Sequence, residues 1–469
     1  MVFNSVIFAF FLVIVFTLYW VAPARWRNPI LLVASYIFYG YWDWRFLSLL
    51  AISTIADYTI GLQMGRRENQ STRTRLLLLS VAINLGILGF FKYFNFFVDS
   101  FATLLGEIGL EPSTPLLQIV LPVGISFYTF QTLSYSFDVY RRRIKPTRNF
   151  INFGTYVAYF PQLVAGPIER AQRLLPQIES LNRPHPVGAR LTDALTLILE
   201  GLFKKVVLAD GVAGVANEVF AAPGTYSWVG NIIGIVAFAI QIYGDFSGYT
   251  DIARGVSQLF GIDLVVNFRQ PYLSRNITEF WRRWHISLSD WLRDYLYIPL
   301  GGNRGTNLQT YRNLMITMLL GGLWHGASWT FVVWGGLHGV YLIVDKAVRG
   351  GRVSDKPVRW HDVPWILFTF GLVCFAWVFF RSDTFSAAID MLGAIFTFQA
   401  GLTPLADIVT VGVLGTVTLA IDLIARRDIE PAEMVRRSPA LAGATVAAAV
   451  TAIVVFSGGT PEPFIYFQF

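Results

Sequence analysis

Cysteine and charged residues are both scarce in this chain of 469 residues. The single cysteine, Cys374, lies in the apolar run GLVCFAWVFF, so neither an intramolecular disulfide nor a cysteine metal cluster can form. An apolar setting disfavours the reactive thiolate, and Cys374 is therefore predicted to be a buried, inert thiol. Only 14% of the residues are charged, and no polar stretch is long enough for an independent soluble domain.

Several catalytic signatures are missing as well. The sequence contains no HExxH pair and no paired cysteines, so no metal site is predicted. The nearest approach to G-x-S-x-G is Gly124-Ile125-Ser126-Phe127, which lacks the second glycine, and neither a Walker A motif nor a dinucleotide fingerprint occurs. These absences disfavour zinc hydrolases, serine hydrolases and nucleotide-binding enzymes, and no bound cofactor is expected.

Apolar residues, by contrast, make up 54% of the chain, and its mean hydropathy is +0.51. Apolar segments of about 15 to 22 residues, near the length that crosses a bilayer, follow one another from end to end, and some of them are too short to span. The predicted fold class is an all-α polytopic membrane protein, with one membrane domain over residues 1–469. We expect roughly 10 to 12 transmembrane helices plus re-entrant or interfacial helices. The first segment, residues 2–21, has no basic region and no cleavage site before Arg25, so it should remain as a transmembrane helix.

The net charge of +7 is dispersed over short loops between the apolar segments. This pattern is the orientation signal of membrane proteins and not a nucleic-acid site. The loop at residues 106–115 has Glu107 and Glu111 but no basic residue, so it is predicted to lie outside, as are both termini. The loops predicted to be cytoplasmic contain Arg25, Arg27, Arg66, Arg67, Arg73, Arg75, Arg141, Arg142, Arg143, Lys145, Arg148, Lys346, Arg349, Arg352, Lys356, Arg359, Arg426, Arg427, Arg436 and Arg437.

Five carboxylates interrupt apolar sequence, where a charge costs roughly 2.5 to 3.5 kcal/mol on insertion scales. Most are expected to pair with arginines such as Arg254 or to cap broken helices. The stretch YGDFSGYTD, residues 243–251, combines two glycines with two of these carboxylates and predicts a broken helix that lines a wet cavity. The five carboxylates are Asp57, Asp138, Asp245, Asp251 and Asp422.

Three of the five histidines fall between residues 276 and 345. Asn276, followed three residues later by Glu279, predicts a helix start of the capping-box type. One amphipathic helix is expected from there, either in the headgroup region or packed on other helices. Its polar face holds Arg282, Arg283, Asp290, Arg293 and Asp294. Its apolar face holds Trp281, Trp284, His285, Leu288, Trp291, Leu292 and Tyr295.

The next stretch contains a loop and two further histidines. Three glycines and Asn303 predict a loop over residues 299–305. Two apolar segments then carry His325, in Trp324-His325-Gly326, and His338. The residues alone leave two interpretations of His325 open: a general base in a polar tunnel, or packing between Trp324 and Trp329. His338 is predicted to be packed.

The stretches FWRRWHISLSDWLRDYLYIPLGGN and LLGGLWHGASWTFVVWGGLHG resemble the membrane-bound O-acyltransferases, in particular the branch of the bacterial alginate O-acetylase membrane subunit. The resemblance covers nearly the whole chain in order, through MVFNS, LLVASYIFYGYW, LGFFKYFNFFVDS, LPVGISFYTFQTLSYSFDVYR, YFPQLVAGPIER and YGDFSGYTDIARG. It implies the fold of that family, with its helices around a central tunnel in the inner membrane of a bacterium.

The resemblance also implies a site. The histidine of the family's WHG motif is catalytic and maps onto His325, and a second position in the preceding helix maps onto His285. Acetyl-CoA would be the acyl donor, reaching His325 from the cytoplasm, and a periplasmic partner of the SGNH-hydrolase type, or another polysaccharide-modification subunit, would receive the acetyl group. The candidates for lining the tunnel are Trp281, Arg282, Trp284, Asp245, Ser247, Asp251, Asn303, Trp324 and Trp329.

Two alternatives remain open at this point. A transporter or flippase would also use a broken helix and intramembrane carboxylates, although no inverted repeat is visible. Within the family, the reaction could instead be D-alanyl transfer to teichoic acid, or acetyl transfer to peptidoglycan or cellulose. The opening MVFNS and the closing FIYFQF favour the alginate-like branch over the D-alanyl branch without choosing the polymer.

Overall fold

The computed structural model describes residues 1–110, 119–353, 358–426, 437–458 and 462–465. The described chain is helical, and its one β-type pairing there is an isolated bridge between Tyr226 and Leu402. The prediction of an all-α fold is confirmed. The chain divides into two compact units, one of Met1–Ala194 with Val256–Val265 and one of Leu195–Gly255 with Val266–Phe469. The prediction of a single domain stays a prediction.

The helices of the first unit run in chain order from α1 to α9. They are α1 Val6–Val21, α2 Arg27–Asp43, α3 Leu47–Arg66, α4 Gln70–Leu88, α5 Phe94–Glu107, α6 Ile125–Tyr140, α7 Phe150–Ala158, α8 Phe160–Leu163 and α9 Ala171–Glu179. A π-helical turn, Gly89–Tyr93, joins α4 to α5.

Helix α10 begins in the first unit and ends in the second, and the remaining helices follow. They are α10 Ala189–Phe203, α11 Asp210–Ala221, α12 Trp228–Leu259, α13 Ile277–Trp281, α14 Ile286–Leu292, α15 Asn307–His325, α16 Trp329–Arg349, α17 Val363–Arg381, α18 Phe385–Phe396, α19 Leu405–Ala425 and α20 Pro439–Phe456. Turns of π-helix lie at Lys204–Ala209 and Arg293–Tyr297.

Within the described ranges, seven helical segments are long and apolar enough to cross a membrane. Two of them span 43 and 38 residues, whereas roughly 20 residues suffice for one crossing. The chain is therefore a multi-pass membrane protein, and the number of 10 to 12 crossings stays a prediction. The seven segments are Ala24–Arg66, Gln70–Glu107, Trp228–Leu259, Trp329–Arg349, Trp360–Arg381, Leu405–Ala425 and Pro439–Phe456.

A buried polar cluster joins α3, α4 and α6 in the first unit. Asp57 is fully buried, and its carboxylate accepts hydrogen bonds from Ser80 at 2.5 Å, Asn84 at 2.7 Å and Ser136 at 3.2 Å. The expectation that such a carboxylate pairs with an arginine or caps a broken helix is wrong for Asp57. Hydroxyl and amide donors from neighbouring helices satisfy it instead, as buried polar groups require.

Arg73 ties together three helix ends in the same unit. Its guanidinium donates to the carbonyl oxygens of Met64 at 2.6 Å, Val139 at 2.8 Å and Tyr140 at 2.8 Å. These carbonyls lie at the C-terminal ends of α3 and α6, where backbone acceptors lack partners within the helix and cations are favoured. The basic loops after α3 and after α6 therefore lie on one side of the unit, in agreement with their common prediction as cytoplasmic.

The topology can be tested with an introduced cysteine. Ser71 is exposed in the first turn of α4. Ser71→Cys should react with a membrane-impermeant maleimide only after the inner leaflet is permeabilised, because the basic loops determine the cytoplasmic side. Labelling of Ser71→Cys in intact spheroplasts would contradict the predicted orientation and indicate the opposite one. Cysteines at Ser354, expected inside, and Ser113, expected outside, complete the set. Both serines lie outside the described residues, as do Glu111, Lys356, Arg427 and Arg436.

Helix α12 of the second unit corrects one expectation. Residues 243–251 were predicted to form a broken helix, but they lie within the continuous helix Trp228–Leu259. The two glycines serve close packing. A Cβ atom at Gly244 would lie 3.0 Å from the carbonyl oxygen of Lys204, and one at Gly248 would lie 2.6 Å from that of Gly201. The glycines therefore let α12 approach the end of α10 and the following π-helical turn.

Helices α15 and α16 form a hairpin that is held equally tightly. A Cβ atom at Gly322 would lie 2.3 Å from the carbonyl oxygen of Phe331, and one at Gly335 would lie 2.4 Å from that of Met318. Helix α15 ends at His325, and Ser328 caps the start of α16. The tight packing of this hairpin fixes the position of His325 at the turn.

Candidate active site

The predicted amphipathic helix from Asn276 is broken at His285. Asn276 does cap its start, because its side chain accepts from the N–H of Glu279 at 2.8 Å. Helix α13 then ends at Trp281, and His285, at φ 44°, precedes α14. The expectation of one continuous helix is wrong, although the predicted burial is confirmed, since all seven residues of the apolar face are buried.

Asn267 explains the break. Its backbone carbonyl accepts from the N–H of Ile286 at 2.9 Å, and its side-chain oxygen accepts from the N–H and hydroxyl of Ser287 at 3.1 and 2.9 Å. The same oxygen lies 3.2 Å from Nδ1 of His285. These bonds satisfy the free N–H groups at the start of α14 and offset the left-handed conformation of His285, which costs roughly 1 to 2 kcal/mol.

His325 is a buried side chain surrounded by aromatic rings. Its imidazole centroid lies 4.9 Å from that of Trp324, 5.0 Å from Trp334 and 5.4 Å from Phe380. The imidazole of His285 lies 6.4 Å away. Trp324 also contacts His285, at 5.9 Å, so the two histidines and this indole form one group. The structure thus brings together the two histidines that the resemblance singles out.

The other candidate residues of this region are divided between the buried site and the surface. Trp284 is buried and lies 5.1 Å from Trp377, while Trp281 donates its indole N–H to His338. Trp329, by contrast, is 59% exposed. Arg282 and Asn303 are also exposed, and Asn303 accepts a hydrogen bond from Tyr297 at 2.6 Å. Trp324, Trp284 and Trp281 belong to the buried site or its immediate surroundings.

The carboxylates of α12 meet lysines. Lys205 lies 2.9 Å from Asp245, and Lys204 lies 2.8 Å from Asp251. Arg254, the partner expected from the sequence, is 3.2 Å from Asp251. Ser247 is buried on the same helix. This ion-pair group is linked to the histidines through Phe246, whose ring lies 4.7 Å from that of His285.

An arginine cluster around Glu279 was not predicted from the sequence. Its fully buried carboxylate lies 3.0 Å from Arg275, 3.0 Å from Arg283 and 2.9 Å from Arg426. Helix α13, which carries it, is not among the spanning segments. Burial alone would raise the pKa of Glu279, but hydrogen bonds from Arg275 and the charge of Arg283 outweigh it and lower that pKa. The cluster keeps more cationic than anionic groups together.

Sequence reasoning also missed three residues that shape the site. Asn267, Trp334 and Phe380 contact the two histidines from other parts of the chain. Trp334 lies in the quoted run WTFVVWGGLHG, but no motif marks Asn267 or Phe380. An imidazole held in such a buried aromatic setting can accept a proton from a hydroxyl group, which is the step that acyl transfer to an alcohol requires.

Comparison with known proteins agrees with this chemistry. The model of the membrane-bound O-acyltransferase family matches residues 36–384. The probable alginate O-acetylase AlgI of Azotobacter vinelandii is 47% identical over 406 residues, covering 85% of this chain and 78% of that protein. The peptidoglycan O-acetyltransferase of Helicobacter pylori is 36% identical over 84% and 79%. The teichoic acid D-alanyltransferase of Streptococcus thermophilus is 28% identical over 61% and 75%. The chain is an O-acyltransferase, and it belongs to the membrane-bound O-acyltransferase family.

Proposed function

We propose that this protein moves an acetyl group from cytoplasmic acetyl-CoA across the bacterial inner membrane, for O-acetylation of a polysaccharide outside. An alginate-like exopolysaccharide is the first choice of acceptor. The names of the relatives support this order, because the alginate O-acetylases share 45 to 47% identity with the chain. The peptidoglycan O-acetyltransferase shares 36% and the D-alanyltransferase 28%. Peptidoglycan, cellulose and teichoic acid are the alternative acceptors.

The observation that carries the proposal is the pairing of His325 with His285. Both imidazoles are buried, at 5% and 0% exposure, with 6.4 Å between their centroids. Two buried imidazoles this close can act on the same small reacting groups. We assign the general base to His325, which accepts the proton of the acceptor hydroxyl as its oxygen attacks the thioester carbon, and which returns that proton to the coenzyme A thiolate as the C–S bond breaks. His285 orients the acceptor.

The arginine cluster supports a donor that carries phosphates. Three guanidinium groups meet at Glu279, and Asp362 lies 3.8 Å from one of them. Two exposed arginines, Arg269 and Arg282, lie within six residues of a cluster arginine in the sequence. Guanidinium groups bind phosphate oxygens in a planar, two-pronged geometry. This surface is our proposed position for the phosphates of coenzyme A, on the cytoplasmic side.

The transporter alternative loses its main support. It rested on a broken helix at residues 243–251 and on intramembrane carboxylates. Helix α12 is continuous there, and Asp245 and Asp251 each pair with a lysine. We further propose a periplasmic acetyltransferase of the SGNH type, or another polysaccharide-modification subunit, as the partner that receives the acetyl group.

A binding experiment tests the donor. Purified protein should bind acetyl-CoA or CoA more tightly than acetate or acetyl phosphate, and the affinity should fall with salt, because salt screens the phosphate contacts. Arg282→Gln should weaken binding a few-fold by removing one charge from the proposed surface. Arg75→Gln is the matched control, since Arg75 is also exposed but lies in α4, away from the cluster in sequence. Binding that does not depend on the CoA moiety would point to another donor.

A further inference from the structure

His338 is a fully buried histidine whose protonation is set by a single hydrogen bond. It lies in α16 at 0% exposure, and its Nδ1 is 3.2 Å from the indole Nε1 of Trp281. An indole nitrogen can only donate, so Nδ1 of His338 must accept. The neutral ring therefore carries its proton on Nε2, and His338 is fixed as a hydrogen-bond donor on its other edge.

That donor has no acceptor within the described part of the chain. The ring is surrounded by Phe280, stacked at 6.0 Å, by Trp334 at 4.8 Å and by Tyr341 at 5.7 Å. A buried N–H without a partner costs roughly 1 to 3 kcal/mol. The hydrogen bond from Trp281 explains the Nδ1 edge of the ring, but neither that bond nor packing gives the Nε2–H group a partner among the described residues. The predicted burial is observed, but it leaves the polar edge unexplained.

Two more donors of the same kind lie nearby, one on Trp334, which contacts His338, and one on Trp377, which contacts Trp334. The indole Nε1 atoms of Trp334 and Trp377 are buried, and the described residues offer neither an acceptor. The two indoles stack at 5.9 Å, and Trp334 contacts both His338 and His325. A contiguous group of buried donors thus extends away from His325. A ligand that satisfies these donors should be rich in acceptor oxygens and narrow enough to pass between aromatic rings.

We propose that Nε2–H of His338 donates a hydrogen bond to an amide carbonyl of the pantetheine arm of the acyl donor. The inference rests on the proposed thioester donor and names how its arm is recognised. The thioester is held at His325, and the arm continues from its sulfur through two methylene groups to an amide. That amide carbonyl is the next acceptor along the substrate. His338 is within its reach because Trp334 contacts both His325 and His338. Coenzyme A and the phosphopantetheine of a carrier protein share this arm, so His338 serves either source.

Two small thioesters isolate the contact. S-acetyl-N-acetylcysteamine contains the amide, and S-butyl thioacetate lacks it. Wild-type protein in proteoliposomes should use the amide-bearing donor with a kcat/KM roughly 10-fold higher, the usual value of one good hydrogen bond. His338→Phe should remove this preference, because phenylalanine fills the volume without a donor. His338→Gln should keep it, because its amide still offers an N–H.

A second variant covers a failure of His338→Phe to fold. Trp281→Phe removes the N–H that fixes the tautomer, and it should reduce the preference while leaving His338 in place. A preference that stays as large as in wild type in a folded His338→Phe or Trp281→Phe protein overturns the proposal, as does a wild type that uses both small donors equally. If the wild-type protein consumes none of the three donors, acetyl-CoA, acetyl-carrier protein or the small thioesters, the proposed function itself is overturned. If His338→Phe affects acetyl-CoA and acetyl-carrier protein to the same degree, the arm is confirmed as the shared feature.

Discussion

His325→Gln is expected to lower acetyl transfer by about 10²-fold or more, the usual contribution of a positioned proton acceptor. Glutamine keeps polar atoms and much of the volume of histidine, but it is not basic at neutral pH. The ring of His325 is held between Trp324 and Trp334 at the end of α15, so the substitution should leave the fold intact. The loss should appear in kcat, with donor binding retained, because a base acts in the transition state.

Three alanine variants give the scale for this result. His325→Ala should match or exceed the loss of His325→Gln while the protein stays in the membrane and binds CoA. The loss of acetyl transfer in His285→Ala should lie between those of His325→Ala and His338→Ala, since this variant removes a ring beside the reacting groups without removing the base. His338→Ala should lose much less, and the loss should lie in the use of the donor. Near-native transfer by His325→Gln would return His325 to a packing role between tryptophans.

Lys205→Met is expected to destabilise the protein by about 3 to 5 kcal/mol, the usual effect of removing one partner of a buried ion pair. Lys205 lies 2.8 Å from Asp210 and 2.9 Å from Asp245, and it donates to the carbonyl oxygen of Glu462 at 3.0 Å. Methionine keeps the length of the side chain, so packing changes little. What changes is that Asp210 and Asp245, the latter buried at 2% exposure, both lose their cation. Thermal unfolding in detergent measures the effect.

The double variant Lys205→Met/Asp245→Asn is the control for this prediction. It removes both charges and keeps a side chain at residue 245 that can accept the N–H of Ile465, now 2.6 Å from Asp245. Its loss of stability should be smaller than the losses of Lys205→Met and of a single Asp245→Asn variant added together, because the ion pair couples the two positions. Additive losses, or a single Lys205→Met variant as stable as wild type, would show that the pair contributes no stability.

Much of the buried pattern could be predicted from the sequence, because it depends on local spacing. The apolar face from Trp281 to Tyr295 follows from helical periodicity alone, and the whole face is buried. The break at His285 could not be predicted. It is imposed by Asn267, a residue 18 positions earlier that caps α14 from outside. Periodicity reports which side of a segment is apolar, and it does not report a tertiary hydrogen bond that interrupts the segment.

Helix α12 shows a second limit of sequence reasoning. Two glycines and two carboxylates inside apolar sequence are typical of broken helices in transporters. Here the glycines make room for the backbone of Lys204 and Gly201, and the carboxylates meet Lys204 and Lys205. The adjacent lysines within apolar sequence were the available signal. Which carboxylates Lys204 and Lys205 reach depends on the packing of α10 and its following turn against α12. A local sequence pattern does not contain that packing.

The candidate site itself was found through the resemblance and not through spacing. His285 and His325 are 40 positions apart, and only the folded chain places their rings 6.4 Å from each other. The surrounding rings of Trp334 and Phe380 come from two further helices, α16 and α17. A motif identifies a histidine, whereas its aromatic surroundings follow from tertiary packing. The same holds for His338. That its Nε2–H group is the donor follows only from the hydrogen bond between Trp281 and Nδ1, which the sequence does not reveal.

A single-turnover measurement tests the central claim most directly. Wild-type and His325→Gln protein, reconstituted in proteoliposomes in excess over radiolabelled acetyl-CoA, would be compared for the rate at which acetyl leaves the thioester for an added acceptor. Donor binding would be measured on the same samples. We expect equal binding and a rate at least about 10²-fold lower in the variant, because only the proton acceptor has been removed. Equal binding with equal rates would contradict the assignment of His325 as the general base.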